Sequence, residues 1–197
     1  MTHLRNGTDA GQAFPIYITV VGGLLFLALA YFAVGQAAAT RNEAQTAADA
    51  AALAAALETR DQLADQWLAN LLKPDSWQDI FDGEVPVASA CWRAQELAAS
   101  NDASVTCQPD GPLGYSVVAE TNEAVGDTIV PGTEGQKATE SATAVIEPRC
   151  TFAMPGEDAG DDELPVLSCE GEKWDLKPDD LLDLPKPEDL FDVHLAD

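Results

Sequence analysis

Four cysteines, one acidic loop and two histidines are the side chains of this sequence whose types and spacing could do chemistry. Cys91, Cys107, Cys150 and Cys169 form an even set, as two disulfides in an oxidising compartment require. None has C-x-x-C spacing, and His3 and His194 lie at opposite ends, so no zinc site is expected. Glu157, Asp158, Asp161, Asp162 and Glu163 offer hard oxygen ligands of the kind Ca²⁺ takes. Their spacing lacks the EF-hand order, and a solvated acidic loop is the plainer reading, so no metal is assigned. No nucleophile elbow, phosphate loop, zincin pair or dinucleotide-binding glycine pattern occurs. Histidine, the commonest general acid or base, is nearly missing. The expectation is a protein that is not an enzyme, with no catalytic residue, no cofactor and no small-molecule substrate.

Charge narrows the partners further. Across 197 residues there are 34 Asp and Glu against 10 Lys and Arg, a formal net charge of -24. Phosphate binding needs a basic face, so nucleic acid is excluded as a partner. The mean hydropathy of -0.08 averages two opposite compositions. Up to residue 40 the only charges are Arg5 and Asp9, which cancel, so the whole acidic excess lies beyond.

The uncharged part contains Phe14 to Gly35, FPIYITVVGGLLFLALAYFAVG, with Thr19 its one clearly polar side chain. About 20 such residues span the ~30 Å hydrocarbon core as a helix, and Tyr17, Tyr31 and Phe32 lie where aromatic rings favour the headgroups. A cleaved signal peptide is the competing reading, but its apolar region of ~7–15 residues would be shorter. The four cysteines all follow this segment, which orients the chain with its N-terminus cytoplasmic and its bulk outside. From Gln36 to Leu57 alanine fills 12 of 22 positions, and no Gly or Pro intervenes before Pro74. Alanine is the best helix former, so one helix is predicted from about Phe14 to Leu72, with Gly22-Gly23 its one weak point. The alanines would let other helices approach closely. Leu53, Leu57, Ala64, Leu68 and Leu71 form an apolar stripe that would pack on the head.

The head is expected to be α+β. Val87–Ser100 reads as a second helix. Ser104–Cys107, Tyr115–Ala119, Asp127–Val130 and Ala142–Glu147 read as an antiparallel meander, with Thr151–Ala153 and Leu164–Cys169 as two further strands around the acidic loop. Sequential pairing, Cys91–Cys107 and Cys150–Cys169, would tie helix to strand and close that loop. It is one of three connectivities that the sequence leaves open. The expected organisation is a leader over 1–13, a transmembrane helix over 14–35, its alanine-rich extension over 36–72, a disulfide-bonded extracellular head over 73–170, and an acidic, mostly irregular tail over 171–197.

From Pro155 onward 15 acidic residues face 3 lysines. Within this region KPDDLLDL (residues 177–184) and KPEDLFDV (residues 186–193) form a near-repeat. Each places a proline before acidic residues and an apolar cluster, which is helix-start chemistry. Leu181, Leu182, Leu184, Leu190, Phe191 and Val193 are more apolar side chains than a solvated tail needs. They can serve as a tandem docking motif whose copies gain avidity, or fold back onto the head.

The Asp9-Ala10-Gly11-Gln12 entry and the run Ala44-Gln45-Thr46-Ala47-Ala48-Asp49-Ala50-Ala51-Ala52-Leu53-Ala54-Ala55 resemble the N-terminal domain of TadE/TadG-like Flp (tight adherence) pilus-assembly proteins, especially actinobacterial ones. The whole layout is similar to the type IV pilin architecture. The resemblance implies a minor pilin-like or assembly component, a helix-mediated oligomer, and cleavage by a prepilin peptidase between Gly11 and Gln12. Where pilins carry a Glu five residues after the cut, this chain has Ile16.

Two functions therefore stand open. One is a single-pass, membrane-anchored component of a Tad/Flp-type pilus or secretion apparatus, with the membrane and other pilin-like or assembly proteins as partners. The alternative is a membrane-anchored extracellular binding module whose acidic head and tail recruit a partner protein. An ion-buffering envelope protein built on the acidic loop is a third, lesser reading.

Overall fold

The computed structural model describes residues 13–124, 135–154, 164–177 and 184–196. Helix α1 runs from Ala13 to Ala69 without a break through Gly22-Gly23. At ~1.5 Å per residue its 57 residues reach about 85 Å. A 3₁₀ turn at Pro74–Ser76 leads into the short α2, Trp77–Phe81. Helix α3 spans Cys91–Ser100, four residues shorter at its start than expected.

A four-stranded antiparallel sheet packs against the far half of α1. Its strands are β1 (Ala103–Pro109), β2 (Gly114–Thr121), β3 (Thr139–Pro148) and, next to β3, the last strand β7 (Phe191–Leu195). A smaller sheet joins β4 (Cys150–Phe152), β5 (Leu167–Cys169) and β6 (Glu172–Trp174). Turn chemistry fixes both registers. Gly111 has φ +74°, and a Cβ on Gly114 would lie 2.5 Å from the Asp110 carbonyl oxygen, so only glycine closes the β1–β2 hairpin. Glu170 and Gly171, both at positive φ, form the two-residue β5–β6 turn that such tight hairpins demand. The strand expected at Asp127–Val130 and the acidic loop lie outside the described residues.

The α+β architecture holds, with two differences of organisation. The boundary at residue 170 does not follow the fold, because β6 pairs with β5 and β7 with β3. The second tail motif is therefore part of the head: Pro187–Leu190 forms a helical turn, α4, and the chain then extends into β7. Pro187 starts that turn, and the Asp189 carboxylate accepts the Lys186 backbone N–H at 2.8 Å, which satisfies an orphan helix-start donor. The helix-start chemistry is real but lasts one turn, since Phe191 gains more by entering the core.

The second difference concerns the face that α1 buries. Ala44, Ala47, Ala48, Ala51, Ala52, Ala55 and Ala56 are buried against the head; of the expected stripe Ala64 and Leu71 are buried and Leu53 packs on the core, while Leu57 and Leu68 remain exposed. Methyl-sized side chains let the backbones approach, and the facing surfaces match them: Ala103, Ala119 and Ala144 on the sheet, Ala94 and Ala98 on α3. Beyond Thr59 the core residues grow larger. Trp67 and Trp77 lie 5.5 Å apart with their planes tilted by 53°, Trp77 meets Phe152 edge-on at 5.3 Å, and Phe81 lies 5.5 Å from Phe191. The core is thus alanine-lined at one end and aromatic at the other.

Candidate functional site

Helix α1 has two halves with opposite surroundings. From Phe14 to Val34 its large apolar side chains are bare: Phe26 is 71% exposed, Leu24 62% and Val34 70%. A soluble helix this apolar would be in a core, yet none of its most apolar stretch is covered by protein. Over Phe14–Gly35 the length is about 33 Å, and the ~30 Å hydrocarbon layer needs just that. The polar exceptions are handled locally. Pro15 lies in the first turn, where its missing N–H has no intrahelical acceptor to lose, and the Thr19 hydroxyl donates to the Pro15 carbonyl at 2.5 Å. One helix among the described residues is therefore apolar and long enough to cross a membrane, and it fits a single-pass anchor.

Between Gln36 and Glu43 the helix is largely exposed and polar, a rod of about 12 Å between the anchor and the head. Arg41 there pairs with Glu140 of β3. From Ala44 onward the head encloses one face of the helix, so the alanines expected to meet other helices are already occupied by the chain's own sheet and α3. The surface open to partner helices is residues 14–43 together with the outer face that carries Leu57.

The head is pinned to this helix by buried contacts. The Thr59 hydroxyl, 1% exposed, donates to the Tyr115 hydroxyl at 2.9 Å, and the Ala90 backbone N–H donates to the same oxygen at 3.2 Å. This node joins α1, β2 and the start of α3. Cys91 is bonded to Cys107, tying the first residue of α3 to β1 with Cα atoms 5.6 Å apart. Cys150 and Cys169, directly opposed on β4 and β5, form the second disulfide. Loops of this size contribute about 3 kcal/mol each in the chain-entropy account. Arg149 clips the tail: it pairs with Glu170 and donates to the Glu188 carbonyl at 3.0 Å. The hydrogen bond to the Glu170 carboxylate, together with that group's charge, raises the guanidinium above its ordinary range.

The residues expected to dock a partner divide. Leu190 and Phe191 are each 1% exposed and belong to the core, so they are not available as docking anchors while β7 is in place. Leu184 and Val193 are half-buried against the same core. Leu181 and Leu182 lie outside the described residues, as do Gly11 and Gln12. No cluster of metal-ligating side chains occurs among the described residues. The Thr59–Tyr115 node and the Arg149 clip had no sequence signature, since each joins residues far apart in the chain.

The family model for putative Flp pilus-assembly TadE/G-like proteins matches residues 11–59. Over those residues the N-terminal helix is similar to TadE/G-like pilus-assembly proteins. The match covers the bare anchor, the polar rod and the alanine face as far as Thr59, and it leaves the rest of the head unmatched. The match carries no lineage. No curated protein and no solved structure matches the chain.

Proposed function

We propose that this chain is a non-enzymatic component of a Tad/Flp-type pilus or secretion apparatus, minor pilin-like or an assembly factor, held in the cell membrane by one pass. The observation that carries the reading is the coincidence of the family match with the bare helix: the matched segment holds the 22 residues from Phe14 to Gly35 that the fold leaves uncovered. The N-terminus is cytoplasmic and the head extracellular, because two disulfides persist only where the compartment is oxidising. Partner helices meet residues 14–43 in the membrane and just above it. Cleavage between Gly11 and Gln12 would leave this whole surface intact and give a mature chain that starts one residue before Ala13.

Intact mass of the protein from its native membrane, without reductant, tests processing and orientation together. A loss matching residues 1–11 with two disulfides formed supports the pilin-like form. Full length with both disulfides supports a permanent anchor acting in assembly. Reduced cysteines overturn the orientation. Deleting the gene should abolish or thin the pili, and normal piliation would overturn the reading. The alternative binding module loses the second copy of its tail motif as a docking element, since Leu190 and Phe191 are core residues.

A further inference from the structure

Strand β1 is an outer strand of the four-stranded sheet and is bonded to β2 alone. Two bonds that bracket this ladder fix which of its residues face β2. The Asp110 N–H donates to the Gly114 carbonyl at 2.8 Å, and the Asn122 N–H donates to the Asp102 carbonyl at 2.8 Å. In an antiparallel ladder the residues whose N–H and C=O point to one neighbour alternate. Ser104, Thr106 and Gln108 therefore face β2 as well, while Val105 and Cys107 turn their N–H and C=O groups outward. Among the described residues no backbone group meets those outward ones.

This edge lacks the usual guards against added strands, which are charges, bulges and central prolines. It reads ASVTCQP, uncharged on a chain of net charge -24, and its one proline is the last residue, Pro109. Helix α3 adds a shelf beside it. Around α3, Arg93 and Leu97 line a cavity with α1, Ala94 and Ala98 are buried, and Cys91 is bonded to Cys107 of β1. At about 100° per residue, the next flank in that rotation carries Gln95, Ala99 and Trp92. It faces away from α1, beyond the edge of β1. All three side chains are exposed, Trp92 by 53%. Trp92 follows Cys91 and so stands level with Cys107, while Ala99 lies near the turn into β1. Val105 and Cys107 are half-buried on the sheet face that packs on the core. Residues of an added strand opposite them would point to that same face, against Trp92 and Gln95.

We infer that the outer edge of β1, with the Trp92 flank of α3 beside it, is a docking site for an extended segment of another polypeptide, apolar at alternate positions and basic at both ends. Main-chain hydrogen bonds to Val105 and Cys107 supply the hold, and an apolar side chain against Trp92 sets the register. The basic ends follow from Asp102 and Asp110, both exposed, which bracket the uncharged strand. Among the described residues no lysine or arginine pairs with either. Net charge favours the same ligand over a second copy of this chain, because a molecule at -24 attracts basic segments and repels its own kind.

The test uses the full chain in lipid nanodiscs and an acetylated seven-residue peptide with lysine at both ends, valine at its third and fifth positions and threonine elsewhere. Without peptide, the Val105 and Cys107 amides should exchange at least about tenfold faster than those of Thr106 and Gln108, which β2 protects. Peptide should slow the first pair by about tenfold or more and leave the second unchanged. Trp92→Ala should weaken binding by about tenfold, and Trp92→Phe by much less. On the unaltered chain, a peptide N-methylated along the edge that faces β1 and a peptide with glutamate ends should each bind at least about tenfold more weakly. Equal binding of the N-methylated peptide would mean attraction to surface charge alone, and equal binding of the glutamate-ended one would deny a basic ligand; either overturns the inference. Unchanged affinity in Trp92→Ala would overturn it by removing the shelf. Slow exchange at Val105 without any peptide would overturn it too, because the chain itself or a second copy would already fill the edge. So would absence of binding.

Discussion

The two halves of helix α1 contrast in composition and in surroundings. Over residues 14–34 the side chains are large, apolar and bare; over residues 44–56 they are mostly alanine and one face of them is enclosed. A bare helix of leucine and phenylalanine is at home in lipid, where no close protein neighbour is needed. A helix that must accept both a sheet and a second helix against itself needs small side chains, since interiors pack at crystal-like density. Hydrophobicity alone does not separate the two halves; side-chain size does. The same logic continues along the core, from the alanine layer to the Trp67–Trp77–Phe81–Phe191 end.

The largest effect should come from the aromatic end. Phe191→Ala removes a fully buried ring and should cost about 3–5 kcal/mol, measurable by thermal or chemical unfolding of the head. A change within about 0.5 kcal/mol would mean that β7 is not part of the core. In the bare half, Leu25→Arg places a charge near the middle of the proposed span, at a cost of about 2.5–3.5 kcal/mol on insertion scales. The variant should fall sharply in the membrane fraction with the head's melting unchanged, and unaltered membrane recovery would deny that residues 14–35 span the bilayer.

A sharper comparison sets Ala51→Leu against Leu24→Ala. The first overpacks the alanine layer and should destabilise the head by about 1–3 kcal/mol, while the second should leave head stability within about 0.5 kcal/mol. Equal effects would erase the distinction between the two halves. Thr59→Val removes one donor of the Tyr115 node and should cost about 1 kcal/mol, read from the same unfolding curves.

The smallest effect concerns the Arg149 clip. A cation whose pKa is raised in the folded state stabilises at every pH below its unfolded value, and that stability is lost only as pH rises through the raised value. Arg149→Gln should therefore lower the melting temperature slightly and by the same amount at about pH 6 and about pH 9. A deficit that differed between the two would mean that a different group governs the clip.

Much of this was legible residue by residue. The 22 apolar residues and the Gly- and Pro-free stretch that follows announce one long helix, because length and local propensity suffice for that. An even cysteine count announced two disulfides, and the fold chose the sequential pairing among the three that the sequence left open. The buried face of α1 was not legible. Alanine occupies all sides of residues 44–56, so the 3.6-residue period is hidden, and the expected stripe is right at Leu53, Ala64 and Leu71 but not at Leu57 and Leu68. The last strand was hidden for a different reason: the tail's apolar side chains could dock a partner or fold back onto the head, and nothing local shows that Leu190 and Phe191 enter the core while residues 191–195 extend the sheet.

By itself, then, the sequence determined what is local: where the helix runs, which part of it suits lipid, which turns need glycine, and that thiols come in pairs. Tertiary structure decided what depends on residues distant in the chain. It chose the face of the alanine helix that the sheet would cover, brought Thr59 to Tyr115 and Arg149 to Glu188, and recruited the end of the chain as the fourth strand of the sheet. Each of these is set by which surfaces can approach most closely, and that depends on the shapes of both partners at once.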